Sequence, residues 1–485
     1  MIALLVAACA GVALRIAYYE SRLGAPDSDE AVWGLMARHV LDGEFRTFFW
    51  QQAYGGTQEV FLTAPVFAAV GSSILALRAV PFALEIVAGF LIWRVGRRTI
   101  GEPAAAIAAA IWCIWPITKL PKLGHQDGFY ASGVVYCALI LLLTLRLRER
   151  PGAARAALLG LVFGLAFWQT SQVVPIEVAS LLWLLWKQPS AFRFAWAAAP
   201  TALLGALPWI VWNAGHGWAS LSVAGGNTPL INRYRGAVDG SVPLILGLRV
   251  PITSEWILPA PASQAIYLGL LGLFAYAAVR LRHRDTSLLY ATVCVFVVML
   301  PLSPQAWRTT ETYLTILTPV LALLVAQLGG TARRAVPLLV VLLVGSAVVL
   351  SRTTSTTPDP LAATTLPRSF APLIRELDVL HLDHVYADYW IAYRLDFATE
   401  ERIIAADGDF RRLALRGGRL LPPVPGSGDT RYAPYDTTVR SGTYGYVFLP
   451  QTVDQLGIGG KLIEAGFTPT HVGPFSIYVP KEAHR

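Results

Sequence analysis

Three carboxylates, Asp27, Asp29 and Glu30, fall within four positions directly after the first long apolar run of the chain. Carboxylates at such a point can do two things. They can accept hydrogen bonds from the free N–H groups of a helix start, or take a proton from a hydroxyl that must become a nucleophile. Ser28 is a good N-cap, and Asp29 and Glu30 would then lie in the first turn, where the helix dipole favours anions. Val32, Leu35, Met36, His39 and Val40 recur at helical spacing, and Gly43 ends the pattern. The spacing predicts an amphipathic helix at the outer membrane interface. Capping and catalysis are compatible there, because the helix would fix the carboxylates in place.

Three further stretches carry chemistry. "KLPKLGHQDGFY", Lys119 to Tyr130, gathers Lys119, Lys122, His125 and Asp127 in a mostly apolar neighbourhood. Charges at membrane depth usually mark a pathway or a site; the plainer reading is two snorkelling lysines and a capping aspartate. "FFWQQAYGGTQEVFL", Phe48 to Leu62, combines the aromatic faces of Trp50 and Tyr54 with Gln51, Gln52, Gln58 and Glu59. That mixture suits sugar hydroxyls and the apolar face of a pyranose; the plainer reading is an interfacial aromatic belt. "SPQAWRTTETYLTILTP", Ser303 to Pro319, sets Arg308 near Glu311. Arginine's fork of donors suits a phosphate, and an Arg308–Glu311 helix pair is the plainer reading. Arg233 and Arg235, in the long outer loop 214–262, are weaker phosphate candidates.

The elements that must position these residues follow from composition. Of 485 residues 55% are hydrophobic and 14% charged, whereas a soluble chain carries about a quarter charged. Apolar runs recur at about the length that crosses a hydrocarbon core, roughly 20 residues. The chain reads as a polytopic α-helical membrane protein with about eleven spanning helices, near 2–19, 79–95, 103–117, 129–145, 156–169, 173–186, 196–213, 263–279, 286–302, 312–328 and 335–351. The net charge of +8 comes from arginine clusters between apolar runs, which argues for membrane topology and against a nucleic-acid partner. Cys9, Cys113, Cys137 and Cys294 all lie in apolar runs and show neither disulfide nor zinc spacing. No metal-specific spacing appears; a divalent metal is not indicated.

The run 60–77 is short and holds Pro65, Gly71, Ser72 and Ser73. If it does not span, the clusters Arg94-Arg97-Arg98, Arg146-Arg148-Arg150-Arg155, Lys187-Arg193, Arg280-Arg282-Arg284 and Arg333-Arg334 all face the cytoplasm. On that ground 60–77 reads as an interfacial or re-entrant helix. The N-terminus is then cytoplasmic and everything after Ser351 extracytoplasmic. The run Ile2 to Tyr19 reads as a retained first helix, not a removed signal peptide. It has no basic residue before it, which leaves room for a start upstream.

The division predicted is a transmembrane domain, 1–351, with a long first outer loop, 20–78; a Thr/Pro-rich linker, 352–367; and an extracytoplasmic α/β domain, 368–485. Within the last, "HVYAD", "RIIAA", "YGYVFLP" and "FSIYVP" read as strands, "YWIAYRLDFA" as a helix, and "TVDQLGIGGKLIEAG" as a helix with a glycine weak point.

These residues, in this order, resemble the GT-C glycosyltransferase superfamily, and in particular the bacterial protein O-mannosyltransferase and lipid A aminoarabinose transferase type. The resemblance rests on "SDEAVWGLMARHVLDGEF", "LRAVPFALEIVAGFLIWRVGRRTIGEP" and "RTTETYLTILTPVLALLVA", and covers roughly residues 1–350. It implies an inverting transferase of the plasma membrane. The donor would be a sugar on a polyprenyl phosphate, used on the outer face, and the acceptor a glycan, lipid or protein. It implies a catalytic acid/base at Asp29, with Glu30 beside it, and a second acidic position at Asp127. No cofactor is required by that reading. The family's aminoarabinose branch carries a Lys-Pro pair where this chain reads "GGTQEVF", so the phosphate contact would pass to Lys119, Lys122 or Arg308. "GHQDG" likewise departs from the Asp-Pro form. Substrate contacts are expected from Lys119, Lys122, His125, Arg308, Gln58, Glu59 and Tyr54. Two rival readings are a multi-pass transporter or lipid flippase, for which Glu85 and Glu177 would be midplane charges, and a non-catalytic family member that binds envelope polymers.

Overall fold

The computed structural model describes residues 2–222, 227–303, 306, 308–328, 332–355, 366–416, 419–421, 423 and 430–481. Most of the expected linker therefore lies outside the described residues. The chain divides into two compact units. One comprises Met1–Tyr18, Ala53–Glu59 and Arg78–Thr356; the other comprises Tyr19–Gln52, Val60–Leu77 and Thr357–Arg485. The first outer loop, expected to go with the transmembrane domain, folds mostly with the C-terminal segment.

In the first unit every apolar run read from the sequence is helical. Among the described residues five helices are long and apolar enough to cross a membrane: Ile2–Glu20, Ile74–Thr99, Phe129–Glu149, Ala260–Arg280 and Arg334–Ser355. The pairs Glu102–Ile114 with Ile117–Leu123, and Pro189–Gly205 with Leu207–Gly215, are bent by 55° and 57°, and counting each as one span gives seven. The other expected spans are shorter helices, such as Ala153–Gln169 and Val174–Lys187. Proline accounts for several of the breaks: Pro116 precedes the turn Ile117–Lys119, and Pro175 and Pro208 open new helices. Close approach comes from small residues. A Cβ on Gly160 or Gly164 would collide with the carbonyls of Ala198 and Ala202 on the neighbouring helix.

The basic turns meet at one end of this unit. Arg148 Nη1 pairs with Asp285 Oδ2 at 2.8 Å, Arg98 Nε with Glu149 Oε1 at 3.3 Å, and Lys187 Nζ donates to the Arg282 carbonyl at 2.9 Å. The fold thus brings to one end four of the five loops that the charge pattern assigns to one side of the membrane.

The helix Gln58–Val70 has 13 residues and contains Pro65. At 1.5 Å per residue it is about 20 Å long, short of a hydrocarbon core of about 30 Å. It ends at Gly71, whose φ of +86° belongs to the left-handed region. The run 60–77 is therefore not one element, because Ile74 already starts the next helix.

The second unit carries a five-stranded sheet. Its strands are β1 (His384–Ala387), β2 (Ile404–Ala406), β5 (Gly445–Phe448), β6 (Phe467–Val472) and β7 (Phe475–Pro480), in the order β2-β1-β5-β7-β6; β3 (Leu415–Arg416) and β4 (Arg419–Leu420) form a separate pair. β1 lies parallel to β2 and β5, and β7 antiparallel to β5 and β6. All four strands expected from the sequence are present. β5 is buried throughout and β1 and β7 nearly so, as strands covered on both faces are. The helix expected over "TVDQLGIGGKLIEAG" is two, Pro450–Leu456 and Gly459–Glu464, split at Gly457 with φ +59°.

Candidate active site

The helix Ser28–Leu41 belongs to the second unit. Its N-cap is Asp27, whose side chain accepts from the Glu30 N–H at 2.8 Å. Ser28, expected in that role, is the first helical residue, so Asp27 takes the capping function and leaves Asp29 and Glu30 to the first turn. The helix is not amphipathic: Glu30, Val32, Trp33, Leu35 and Met36 are all buried. Asp29 is half-buried, and its Oδ1 accepts a short hydrogen bond from the Tyr389 hydroxyl. Arg431 Nε in turn donates to the Tyr389 oxygen at 3.3 Å. Tyr389 opens the helix Tyr389–Ala398, capped by Asp388, which accepts from Trp390 N–H at 3.1 Å. That helix packs on Ser28–Leu41, with the Phe397 ring against Gly34.

One turn further on, His39 is held between two carboxylates. Its Nδ1 lies 2.7 Å from Glu44 and its Nε2 2.9 Å from Glu401. Burial alone would lower the imidazole pKa, but the two carboxylates outweigh it and raise it above the ordinary value. Trp50 stacks on Tyr432 at 4.3 Å between ring centroids, and Tyr432 donates to Glu44 at 2.9 Å. The aromatic end of "FFWQQAY" is thus packed within the second unit.

The first unit holds the remaining sequence-predicted residues, in three groups. Lys122 Nζ pairs with Asp127 Oδ2 at 2.5 Å and lies 5.3 Å from the Tyr130 ring centroid. Glu311 lies within electrostatic reach of Lys122, and Tyr313 within reach of Lys122, Arg308 and Tyr54. Lys122 and Asp127 thus lie within electrostatic reach of Tyr130, and Lys122, Arg308 and Tyr54 within reach of Tyr313, two tyrosines that the sequence reading did not single out. Those tyrosines stand inside the quoted stretches, so their positions at helix mouths were the available signal.

Lys119 and His125 point elsewhere. Lys119 donates to the Trp112 carbonyl and lies 3.6 Å from that ring's centroid. It lines a cavity of about 630 Å³ with the buried ion pair Arg15–Glu85 and apolar residues such as Leu4 and Phe90. Glu85 is thus a partnered charge. His125 meets Arg78 at 3.4 Å and the edge of Tyr18 at 5.8 Å between centroids.

Gln58 and Glu59 are spent on packing. Glu59 is fully buried, and its Oε1 accepts from the Ser132 N–H at 2.8 Å and hydroxyl at 2.7 Å. Gln169 donates to the same hydroxyl at 2.9 Å and accepts from the Gln58 N–H at 3.1 Å. Gln58 itself donates to the Leu165 carbonyl at 2.8 Å and accepts from the Tyr136 hydroxyl. These groups pin the start of the helix Gln58–Val70 to the helices Phe129–Glu149 and Ala153–Gln169, a use that local pattern does not announce. Among the described residues no three of His, Cys, Asp and Glu are grouped so as to hold a metal ion.

Residues 60–212 match the family of dolichyl-phosphate-mannose-protein mannosyltransferases. No curated protein matches the chain in sequence. Among solved structures the chain is similar to ArnT from Cupriavidus metallidurans bound to undecaprenyl phosphate, at 13% identity and a TM-score of 0.63, covering 98% of this chain and 97% of ArnT. It is also similar to the Archaeoglobus fulgidus oligosaccharyltransferase, at 12% identity and a TM-score of 0.53, covering 99% of this chain and 75% of that one. The same archaeal enzyme, AglB, in complex with an inhibitory peptide and a dolichol-phosphate, aligns at 13% identity with a TM-score of 0.50, covering 99% of this chain and 74% of that one. At such identities the likeness is one of fold. The resemblance to the GT-C superfamily therefore holds, carried by the matched segment and by a membrane fold shared over nearly the whole chain.

Proposed function

We propose that this GT-C-fold membrane protein is an inverting glycosyltransferase that moves a sugar from a polyprenyl-phosphate-linked donor to a glycan, lipid or protein acceptor outside the plasma membrane. The observation that carries the reading is the pair Lys122–Asp127, whose lysine lies with Arg308 and Tyr54 within electrostatic reach of Tyr313. Cations beside a carboxylate suit a reaction that releases a lipid phosphate anion. The ArnT fold neighbour, described with undecaprenyl phosphate, supports the donor class.

In this reading Asp29 takes the acceptor proton, and Glu30 and Asp127 hold the acceptor or the base. Lys122 and Arg308 hold the donor phosphate. Lys119, His125, Gln58 and Glu59 position the scaffold, since their groups are taken up by Trp112, Arg78, Tyr136 and Ser132. The N-terminus is cytoplasmic and the sheet-bearing segment extracytoplasmic, in keeping with the basic turns gathered at one end of the first unit.

The test is reconstitution with a panel of polyprenyl-phosphate sugars, reading release of the polyprenyl phosphate. The wild type releases it from at least one donor, and Asp29→Asn is slower by about 10²- to 10⁴-fold. A wild type inert towards every donor, or an Asp29→Asn variant that transfers as well, would refute the reading.

A further inference from the structure

Asp29 lies within four residues of two other carboxylates, yet it is the one the Tyr389 hydroxyl reaches, from a helix 360 residues away. The phenol is itself held. Arg431 Nε donates to its oxygen at 3.3 Å, and the guanidinium carbon lies 5.1 Å from the Phe49 ring centroid and 5.3 Å from that of Tyr389. The Arg431 N–H donates to the Tyr393 hydroxyl at 2.5 Å, which ties the same segment to the next turn of the Tyr389 helix. The result is a directed chain, guanidinium to phenol to carboxylate, in which each donor polarises the next.

We propose that Tyr389, oriented by Arg431, is the positioning residue of Asp29: its hydroxyl holds Oδ1 and so sets the direction in which the carboxylate faces the acceptor hydroxyl. The C-terminal segment then contributes directly to the reaction. This rests on the reading of Asp29 as the base.

Two physical consequences follow. Fixing one carboxylate oxygen removes a rotation that the base would otherwise have to lose in the transition state. A donated hydrogen bond also favours the charged form of the carboxylate. The phenol is suited to this part. Burial, together with Asp29 beside it, pushes the Tyr389 hydroxyl above its ordinary value, so it keeps its proton and donates. Among the groups that bear on the Asp29 charge are Tyr389 from its helix, Arg431 from the segment ahead of the helix Ala433–Ser441, and Asp27 and Glu30 at its own helix start. Arg431 opposes the two acids, and Tyr389 is the neutral donor among them.

The test titrates Asp29 without needing the natural donor. The full-length protein in detergent is labelled with a water-soluble carbodiimide and an amine across a pH series, and the label at Asp29 is read by peptide mass spectrometry. Protonated carboxyls react, so the midpoint follows the Asp29 pKa. Tyr389→Phe keeps the ring against Trp390 and Tyr393 and removes the donor. It is expected to raise the midpoint by about one pH unit. Arg431→Gln, a second variant that leaves the phenol in place, moves it the same way by less. The acidic limb of kcat/KM, once a donor is in hand, shifts with it. An unmoved midpoint in both variants overturns the inference whatever the activity. An active Asp29→Asn overturns the reading of Asp29 as base, a separate failure seen in a separate measurement.

Discussion

His39 Nε2 lies 2.9 Å from Glu401 Oε1, a carboxylate 362 residues further along the chain, while its Nδ1 lies 2.7 Å from Glu44. One imidazole therefore joins the first-loop helix to the turn that follows the helix Tyr389–Ala398. Its pKa is raised: burial opposes the charge, and the Glu401 and Glu44 hydrogen bonds overcome it. Glu401 and Glu44 are lowered, burial again opposing and His39 prevailing. The raised imidazole contributes stability below its ordinary value of 6.5 and loses it as pH rises through the folded value. The lowered carboxylates contribute above their ordinary 4.5 and lose it as pH falls. His39→Gln is expected to cost about 1–2 kcal/mol between those limits, and less at pH 8.5. Thermal midpoints of wild type and variant at pH 5.5, 7 and 8.5 check this; a gap that widens with pH would contradict the assignment.

The Lys122–Asp127 pair makes a second prediction. Lys122→Met removes a cation from the group that includes Arg308 and Tyr313. If Lys122 holds the donor phosphate, the donor KM rises about ten- to a hundredfold, the equivalent of about 1.5–3 kcal/mol for a charged hydrogen bond. The same change with kcat alone affected would assign Lys122 to the chemical step.

Glu59 separates scaffold from substrate contact. Its Oε1 serves both the Ser132 N–H and hydroxyl. Glu59→Ala leaves those donors buried and is expected to destabilise by about 1–3 kcal/mol. Thermal unfolding in detergent reads the loss. A variant with an unchanged midpoint and reduced donor turnover would return Glu59 to the substrate.

Gly34 is a packing test. A methyl group there would run into the Phe397 ring. Gly34→Ala is expected to destabilise by about 1–3 kcal/mol through overpacking, and Phe397→Leu in the same chain to recover part of it. Additive losses in the double variant would show that the two residues do not meet.

Much was legible before any fold was known. Among the described residues each of the eleven apolar runs read from hydropathy is helical, although only five helices, or seven with each bent pair counted as one span, are long and apolar enough to cross a membrane. Four of the five basic clusters fell together at one end, in keeping with the charge pattern. Alternation found four of the five strands of the sheet; β6 escaped because none of its residues is buried, so it offers no buried apolar face to read. The capping residue was misjudged by one position, Asp27 for Ser28, because both types cap and only backbone geometry separates them. The expected amphipathic helix is buried over most of its length, since the helix Tyr389–Ala398 covers a face that its period left open.

The division of labour has a physical cause. Local period and composition determine which segments are helix, strand or membrane, because those choices are made against solvent and lipid, residue by residue. The sequence by itself determined the membrane class, the helices and the acids at their mouths. The tertiary structure alone decided which of those acids has a tyrosine and an arginine behind it. It also tied Glu59 to Ser132 and Gln58 to Tyr136, and folded most of the first loop with the C-terminal sheet. Each of those outcomes is a pairing between residues tens to hundreds of positions apart, and a hydrogen bond or ring contact at such separation leaves no periodic trace in either segment.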